Sequence, residues 1–540
     1  MQEAVSLAVP WRVRLRHVFE LTRAGAPTLA EASVAVLSAA LLILSFPDFD
    51  LWPVAWVALA PLLLAVARNG KTGAAFVLGW VMGSLFFYGS CYWLTYSMIR
   101  YGHIPVVASY LLLLPAALAI GLFPAACAAA LARAVSRLGA SALFAAPFLW
   151  AALEWARLGV TGQLWNAVGY SQAYHPALIQ SARWGGVYMV GFFVVLFNAA
   201  VAYALLRRSV KAALLSAAVI LFVACVVGWS GSSAFAYEEK PSADAVVVAV
   251  QPNVPMEPTK SVAEDKALLG RHVSLSENAL RTPGASTFAP RVVVWPESPM
   301  NFTYARDREL REFVAQFASR NRASVIFNSL EPAPLNGDYN AALMVNEEGR
   351  LVAQYDKIRL LPFGEYVPLP RWLPGANLVP TMVGDFTPGA EYALMPVGGA
   401  RAGVFICFES AFPSIARAFS SGGADVLINI SNDGYLGPTP VMRQHLANAV
   451  FRAVENERPV LRVTNTGITA HISGRGEVTD ATGGFQTATR VWPVSRSAKR
   501  QTFYTRHGDL FAGACAVVSI LILGLTIQGS RLRTESRKSD

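Results

Sequence analysis

The sequence predicts two structures in one chain, a bundle of membrane-spanning helices and an α/β domain held outside the cytoplasm. Three observations carry that expectation. Of the 540 residues, 54% are hydrophobic and only 15% charged, far from the composition of an ordinary soluble globule. Eight apolar stretches approach or reach the ~20 helical residues that cross the hydrocarbon of a bilayer. Between the seventh and the eighth, from about 232 to 508, Asp, Glu, Asn, Pro and Gly return and no membrane-length apolar run survives.

The eight stretches fall near 31–46, 51–67, 73–97, 104–132, 139–155, 185–206, 212–229 and 511–528. The segment "WRVRLRHVFELTRAG" ahead of the first is basic like the start of a signal peptide. No small-residue cleavage site follows before the next apolar run, so the first stretch is expected to stay as an anchor. Cytoplasmic loops retain Lys and Arg. With the N-terminus inside, fifteen such residues fall on the cytoplasmic side, among them Arg12, Arg68, Lys71, Arg133, Arg207 and Arg531, against Arg100, Arg157 and Arg183 in the opposite short loops. Both termini are therefore expected in the cytoplasm, and the 232–508 domain on the other side. This topology also accounts for much of the net charge of +10, so no nucleic-acid partner is inferred. The expected domains are 1–231 with seven spans, 232–508 as the globular part, and 509–540 as a last span with a basic tail.

Inside 232–508, "DAVVVAV" (244–250), "RVVVW" (291–295), "ASVIFNS" (323–329), "AGVFICF" (402–408), "ADVLINI" (424–430) and "RPVLRVTNT" (458–466) read as buried strands. The stretches 307–320 and 442–457 have the apolar stripe and charged face of amphipathic helices. Residues 340–360 read as a hairpin turned at Glu347, Glu348 and Gly349. Strands alternating with helices indicate an α/β layer fold. The Pro- and Gly-rich stretch 369–390 is a long loop and a candidate cover.

Of five cysteines, Cys91, Cys127, Cys225 and Cys515 fall in expected spans, where a cysteine is a small apolar filler. Only Cys407 lies in the globular part, so it cannot form a disulfide there. Position alone favours a packing role. Its neighbours point elsewhere, because the run "GVFICFES" ends a buried strand where the chain must turn, and α/β folds place reactive groups at strand ends. A nucleophilic thiol needs a base and something positive to hold the oxyanion. His272, His445, His471 and His507 carry no motif, which leaves a carboxylate base. "VVVWPES" (292–298) supplies Glu297, and "YDKIRLLPFGEYVP" (355–368) supplies Lys357 and Glu365. Singly, a strand-end Glu is often solvated and a hairpin Lys often exposed; the combination is what carries weight.

That combination resembles the nitrilase, or carbon-nitrogen hydrolase, superfamily. With eight spans around it, the chain is similar to its membrane-embedded bacterial branch, the apolipoprotein N-acyltransferase family. The resemblance extends to "VQPNVP" (250–255), "GDFTPG" (384–389), "NISNDGYLG" (429–437), "NERPVLRVTNTGIT" (456–469), "YTRHGD" (504–509), and in the membrane part "WNAVGYSQ" (165–172) and "GGVYMVGFFVVLFNA" (185–199). It implies a four-layer α-β-β-α domain with Glu297 as general base, Lys357 as stabiliser of the tetrahedral intermediate and Cys407 as nucleophile. Glu365 is expected to orient the site, Glu409 to match an acid kept near the nucleophile, and the N–H of Phe408 to be a second oxyanion donor. The implied partners are a phospholipid acyl donor and a diacylglyceryl apolipoprotein acceptor, joined through a thioester, with the chain acting as a monomer in a bacterial inner membrane and its catalytic domain periplasmic.

Three positions depart from the family pattern: Phe408 where Tyr is usual, Tyr435 and Leu436 where Trp-Phe is usual, and Lys260 near a usual Trp. They bear on the shape of the acyl and acceptor pocket. No His/Cys cluster or phosphate-binding loop is present in the sequence, so no metal or cofactor is expected. Glu154 is read as a paired acid, and Trp165 and Tyr170 as interfacial anchors. Two other readings compete. A membrane-anchored amidase would share the triad and use water as acceptor; a transporter or scaffold would need none of these residues, and the sparsity of paired charges in the spans argues against transport.

Overall fold

The computed structural model describes residues 26–235, 243–257, 261–285, 289–297, 299–334, 337–367, 384–497 and 500–536. Among them, seven helices are long and apolar enough to cross a membrane: Trp52–Asn69, Thr72–Ser90, Val106–Leu138, Ala140–Thr161, Ala182–Arg207, Val210–Ser232 and Leu510–Ile527. The shorter apolar helix Leu29–Leu44 stands where the first span is expected, its N-terminus closed by a capping box between Thr28 and Glu31. The expected span 73–97 divides: one helix stops at Ser90, and a separate short helix, Leu94–Arg100, follows after a turn. Cys91 consequently lies in that turn and not inside a span.

Close packing of the spans rests on small residues. A Cβ at Gly79 would come 2.5 Å from the carbonyl oxygen of Pro124, so helices 72–90 and 122–138 approach nearly backbone to backbone. The Ala182–Arg207 helix is broken at Gly185 and Gly186; Gly186 has φ +65°, a conformation glycine takes without a Cβ penalty. The break frees the N–H of Val187, which donates to Glu455 of the globular part at 3.1 Å.

The globular part is built on two six-stranded sheets. The first contains β1 (Ala245–Gln251), β2 (Arg291–Val294), β3 (Ser324–Ala333), β4 (Gly337–Val345), β5 (Leu351–Asp356) and β12 (Ala488–Val494), in the order β12-β1-β2-β3-β4-β5. The second contains β6 (Leu394–Val397), β7 (Ala400–Ile406), β8 (Val426–Ser431), β9 (Val460–Thr464), β10 (Ala470–Ile472) and β11 (Val478–Thr479), in the order β11-β10-β9-β8-β7-β6. The centres, β1-β2-β3 and β7-β8-β9, are parallel, and the flanking pairs antiparallel.

The apolar runs are continuous because both faces of these strands are covered. Val246, Val248 and Val250 of β1 join the core that includes Leu310, Val314 and Phe317 of helix Arg308–Asn321. Val247 and Ala249 instead join the core between the sheets with Val404, Ile428 and Val463. This period of two, read from one strand, generates the α-β-β-α layering. The 340–360 hairpin forms as β4 and β5, with Asn346 accepting from the N–H of Arg350 across the turn. Helix Val262–Leu280, with its Ser261–Glu264 capping box, and the strands β6, β10, β11 and β12 are additions to the elements read from sequence.

Candidate active site

Each candidate side chain stands where a strand runs out. Glu297 follows β2, whose next residue Trp295 is buried and anchored by its Nε1 donating to Ser276. Lys357 follows β5, and its own N–H continues the ladder to the Asn340 carbonyl at 2.8 Å. Glu365 sits in the turn after β5, where its Oε2 accepts the N–H of Leu361 at 2.7 Å. β7 ends at Ile406, two residues earlier than "AGVFICF" suggests, so Cys407 opens the five-residue 3-10 turn Cys407–Ala411.

Cys407 has φ +50°. A non-glycine residue in this left-handed region costs of order 1–3 kcal/mol, and surrounding structure must impose it. The turn swings the thiol off the strand line towards the ends of β2 and β5.

Lys357 is 1% exposed, and its Nζ lies 2.8 Å from Glu365 Oε1 and 3.5 Å from Glu297 Oε1. Burial works against its charge, but the two carboxylates outweigh burial and hold the ammonium well above the ordinary lysine range. Asn340 ties the cluster together: its Nδ2 donates to Glu365 at 2.7 Å and to Glu297 at 3.1 Å, while its Oδ1 accepts from Asn328 at 2.7 Å. The thiol of Cys407 is pushed well above the usual cysteine range by burial first, then by Glu297 and Asp433; Lys357 and a hydrogen bond with Ser431 oppose this. The resting side chain is therefore a thiol, and for it to attack a carbonyl a base would have to take its proton as the bond forms.

Glu409 is fully buried and points away from this chemistry. Its Oε1 accepts from the Tyr355 hydroxyl at 2.7 Å and the N–H groups of Ile358 and Arg359 at 2.8 and 3.0 Å, and its Oε2 from Ile406 N–H at 2.8 Å. It fastens the segment after Lys357 to the strand end before Cys407. Burial raises its pKa, and the donors oppose that.

The structure also brings in residues that carried no local signal. His445, without a motif in the sequence, has its Nε2 2.9 Å from the Cys407 carbonyl oxygen and its Nδ1 2.8 Å from Asp433. Arg462 donates to both oxygens of Asp433 and to Asn429. Gln444 joins the halves of the chain: its Oε1 accepts from the indoles of Trp93 and Trp165, and its Nε2 donates to the carbonyls of Pro47 and Ser90. Trp165 and Tyr170 are not interfacial anchors. Both are buried, Trp165 stacked on Phe408 and Tyr170 within 3.2 Å of Arg452, because the loop that bears them is roofed by the globular domain. Glu154 is paired as expected, accepting from Trp150 Nε1 and the N–H of Val168.

Of the departures from the family pattern, Phe408 packs between Trp165 and Phe412. Tyr435 packs on Tyr101, and its carbonyl accepts from the Ser97 hydroxyl at 2.5 Å. Leu436 packs against the main core. Lys260, and the candidate cover 369–390 apart from its last residues 384–390, lie outside the described residues. Among the described residues, no group of three or more His, Cys, Asp or Glu is arranged to hold a metal ion.

A family model described as the apolipoprotein N-acyltransferase N-terminal domain matches residues 38–200, and the carbon-nitrogen hydrolase model matches residues 247–501. An apolipoprotein N-acyltransferase of Geobacter metallireducens is 34% identical over 505 residues, covering 92% of this chain and 95% of the relative. The chain belongs to the apolipoprotein N-acyltransferase family. A second family member, from Allorhizobium ampelinum, is 32% identical over 75% of this chain and 77% of its own length. Membership makes the protein an acyltransferase with a carbon-nitrogen hydrolase domain and a multi-pass membrane protein. Trp93, Ser97, Tyr101 and Trp165 of the first family domain contact Gln444, Tyr435 and Phe408 of the second.

Proposed function

We propose that this protein moves an acyl chain from a phospholipid to the α-amino group of the N-terminal diacylglyceryl cysteine of an apolipoprotein, through a thioester on Cys407. The observation that carries this reading is the single buried ammonium of Lys357 between Glu297 and Glu365, beside a thiol that is protonated at rest.

In the first step, Glu297 takes the Cys407 proton as Sγ attacks the ester carbonyl of the donor. The oxyanion forms against Lys357 and the N–H of Phe408. Its collapse expels the lysophospholipid oxygen, which takes the proton back from Glu297 and leaves the thioester. In the second step the acceptor amine attacks. An α-amine with a pKa near ~8 is partly neutral at neutral pH, so Glu297 needs only to remove its proton as the new bond forms. The sulfur leaves and is reprotonated, and the product is an amide. Glu365 and Asn340 keep Lys357 and Glu297 aimed throughout.

The setting proposed is a bacterial inner membrane, with the catalytic domain periplasmic over the outer leaflet, both termini cytoplasmic, and the chain acting as a monomer. The basic residues in one set of loops support that orientation.

The test is the intact mass of the purified protein after incubation with phospholipid, before and after a diacylglyceryl cysteine peptide is added. An acyl mass on Cys407 that passes to the peptide supports the reading. An adduct lost to water at the same rate with or without the peptide would favour an amidase, and no adduct would remove the nucleophile assignment.

A further inference from the structure

The sequence presents His445 as an ordinary residue of an amphipathic helix, yet it is the side chain that holds the carbonyl of the nucleophile. We propose that His445 is a positioning residue for the oxyanion donor: by gripping the Cys407 carbonyl, it fixes and polarises the Cys407–Phe408 peptide whose N–H faces the reacting carbonyl. The inference rests on the nucleophile and oxyanion roles just proposed.

The geometry supports it from several sides. His445 is 3% exposed, and its Nε2 lies 2.9 Å from the Cys407 carbonyl oxygen. Asn429 Nδ2 approaches the same oxygen at 3.4 Å, a weaker contact. Across a planar trans peptide the C=O and the following N–H point in opposite directions, so holding the one aims the other. An acceptor that is already engaged also makes the N–H of the same peptide a stronger donor, since hydrogen bonds in a chain polarise one another.

The peptide needs holding. Cys407 has φ +50°, a conformation a cysteine does not keep unaided. The ring that holds it is itself fixed: with Nε2 donating to the carbonyl, the Nδ1 of a neutral imidazole is an acceptor and meets Arg462 Nη2 at 3.0 Å, while Arg462 also grips Asp433 with two contacts of 3.1 and 2.8 Å and reaches Asn429 at 2.5 Å. Both groups that approach the Cys407 carbonyl are therefore braced by one guanidinium. The Trp165 ring packs beside the imidazole at 5.7 Å, so the membrane half of the chain closes the remaining side. The chain of contacts runs Arg462, His445, Cys407 carbonyl, Phe408 N–H. None of these groups other than the last faces the substrate carbonyl, so the effect on rate is transmitted through the peptide.

Two reactions of the same thiol separate this role from packing. Acylation by phospholipid develops an oxyanion; alkylation by iodoacetamide is a displacement at carbon and develops none. His445→Leu fills the space without a donor, and His445→Gln keeps one. The comparison is single-turnover thioester formation with phospholipid against alkylation of Cys407, mapped by peptide mass so that the other four cysteines do not contribute. His445→Leu should slow acylation by about 10²-fold, the scale of a lost oxyanion donor, with alkylation within about threefold of wild type. His445→Gln should restore most of the acylation rate. Asn429→Ala, which removes the weaker contact, should give a smaller loss of the same selective kind, and it keeps the test open if the leucine variant does not fold.

Equal losses in acylation and alkylation would overturn the proposal, as would a folded glutamine variant no better than leucine. If the wild-type protein itself gained no acyl mass while Cys407 was still alkylated, the reading of the whole site would fail and this role with it, an outcome distinct from a defect seen only in the variants.

Discussion

Trp165 of the membrane half lies on Phe408 of the catalytic half, with ring centres 6.0 Å apart and planes inclined by 24°. Phe408 follows the proposed nucleophile directly, so one wall beside Cys407 is shared between the two halves of the chain. An aromatic pair of this kind contributes about 0.5–1.5 kcal/mol beyond its buried area. Trp165→Ala is expected to slow thioester formation about tenfold, the equivalent of ~1.4 kcal/mol in a barrier, while leaving iodoacetamide labelling of Cys407 little changed. An unchanged acylation rate would show that the stack serves folding alone.

Because burial and the neighbouring carboxylates keep the Cys407 thiol protonated, removing the base should alter the pH profile as well as the rate. Glu297→Gln is expected to lower single-turnover acylation by about 10²–10⁴-fold at neutral pH. The residual rate should then climb about tenfold per pH unit between roughly pH 7 and 10, since only the spontaneously ionised fraction of a raised thiol reacts and that fraction grows with pH. Cys407→Ala should give no adduct at any pH. A flat profile in the glutamine variant would assign the base elsewhere.

Asn340, like Lys357 itself, donates to both Glu297 and Glu365. Its replacement by Ala removes one partner from Asn328 and from each acid, though Asn328 keeps the Ala341 carbonyl and both acids keep Lys357, so each lost hydrogen bond should cost about 0.5–1.5 kcal/mol. The variant should unfold at lower denaturant and turn over more slowly with the donor KM nearly unchanged, because the carboxylates lose their aim and not their contact with lipid. Asn340→Asp should be worse than Asn340→Ala, since it sets a third carboxylate beside the first two.

Asp433 supplies a pH test of stability. Burial alone would raise its pKa, but Arg462 and His445 outweigh burial and hold it well below the usual carboxylate range. A native pKa below the unfolded value of ~4 means that the ion pair stabilises the fold fully above about pH 4, and that this contribution is lost as pH falls towards the depressed native value. Removing one partner of a buried pair costs about 3–5 kcal/mol. Asp433→Asn should therefore be much less stable than wild type near pH 7, with the gap narrowing as the pH is lowered below about 4. Unfolding curves in detergent across that range measure it, and a gap independent of pH would contradict the assignment.

The parts of the site legible in the sequence are those whose partners lie close along the chain. "WPES", "YDKIRLLPFGEY" and "GVFICFES" each pair an apolar strand with the reactive residue at its end, and the strands β1, β2, β7 and β8 were readable for the same reason: they are buried on both faces and so uninterrupted by polar residues. What escaped has its cause in distant sequence. Gln444 meets Trp93 across 351 residues, and His445 meets the Cys407 carbonyl across 38. Both sit on a helix that is buried from Gln444 to Asn456, so polar residues that looked like a solvated face are in fact its contacts. Trp165 looked like a membrane-surface aromatic because nothing near it in the chain indicates the domain that covers it. β12 escaped because most of it is only partly buried or exposed and its partner, β1, lies about 250 residues earlier, an interval visible in the pairing of Ala245 with Val494.

The break at Gly185 and Gly186 also has a bearing on how the protein is made. The N–H it exposes at Val187 is satisfied by Glu455, which is synthesised 268 residues later. When this helix enters the bilayer, the group that will cap it does not yet exist, and domains form in order from the N-terminus during synthesis. An intermediate with its early spans inserted lacks that partner until the catalytic domain has folded and come to rest on the helix. Completion of this helix's capping therefore waits on the catalytic domain, and a chain truncated before the 441–456 helix would leave the Val187 N–H without its carboxylate partner.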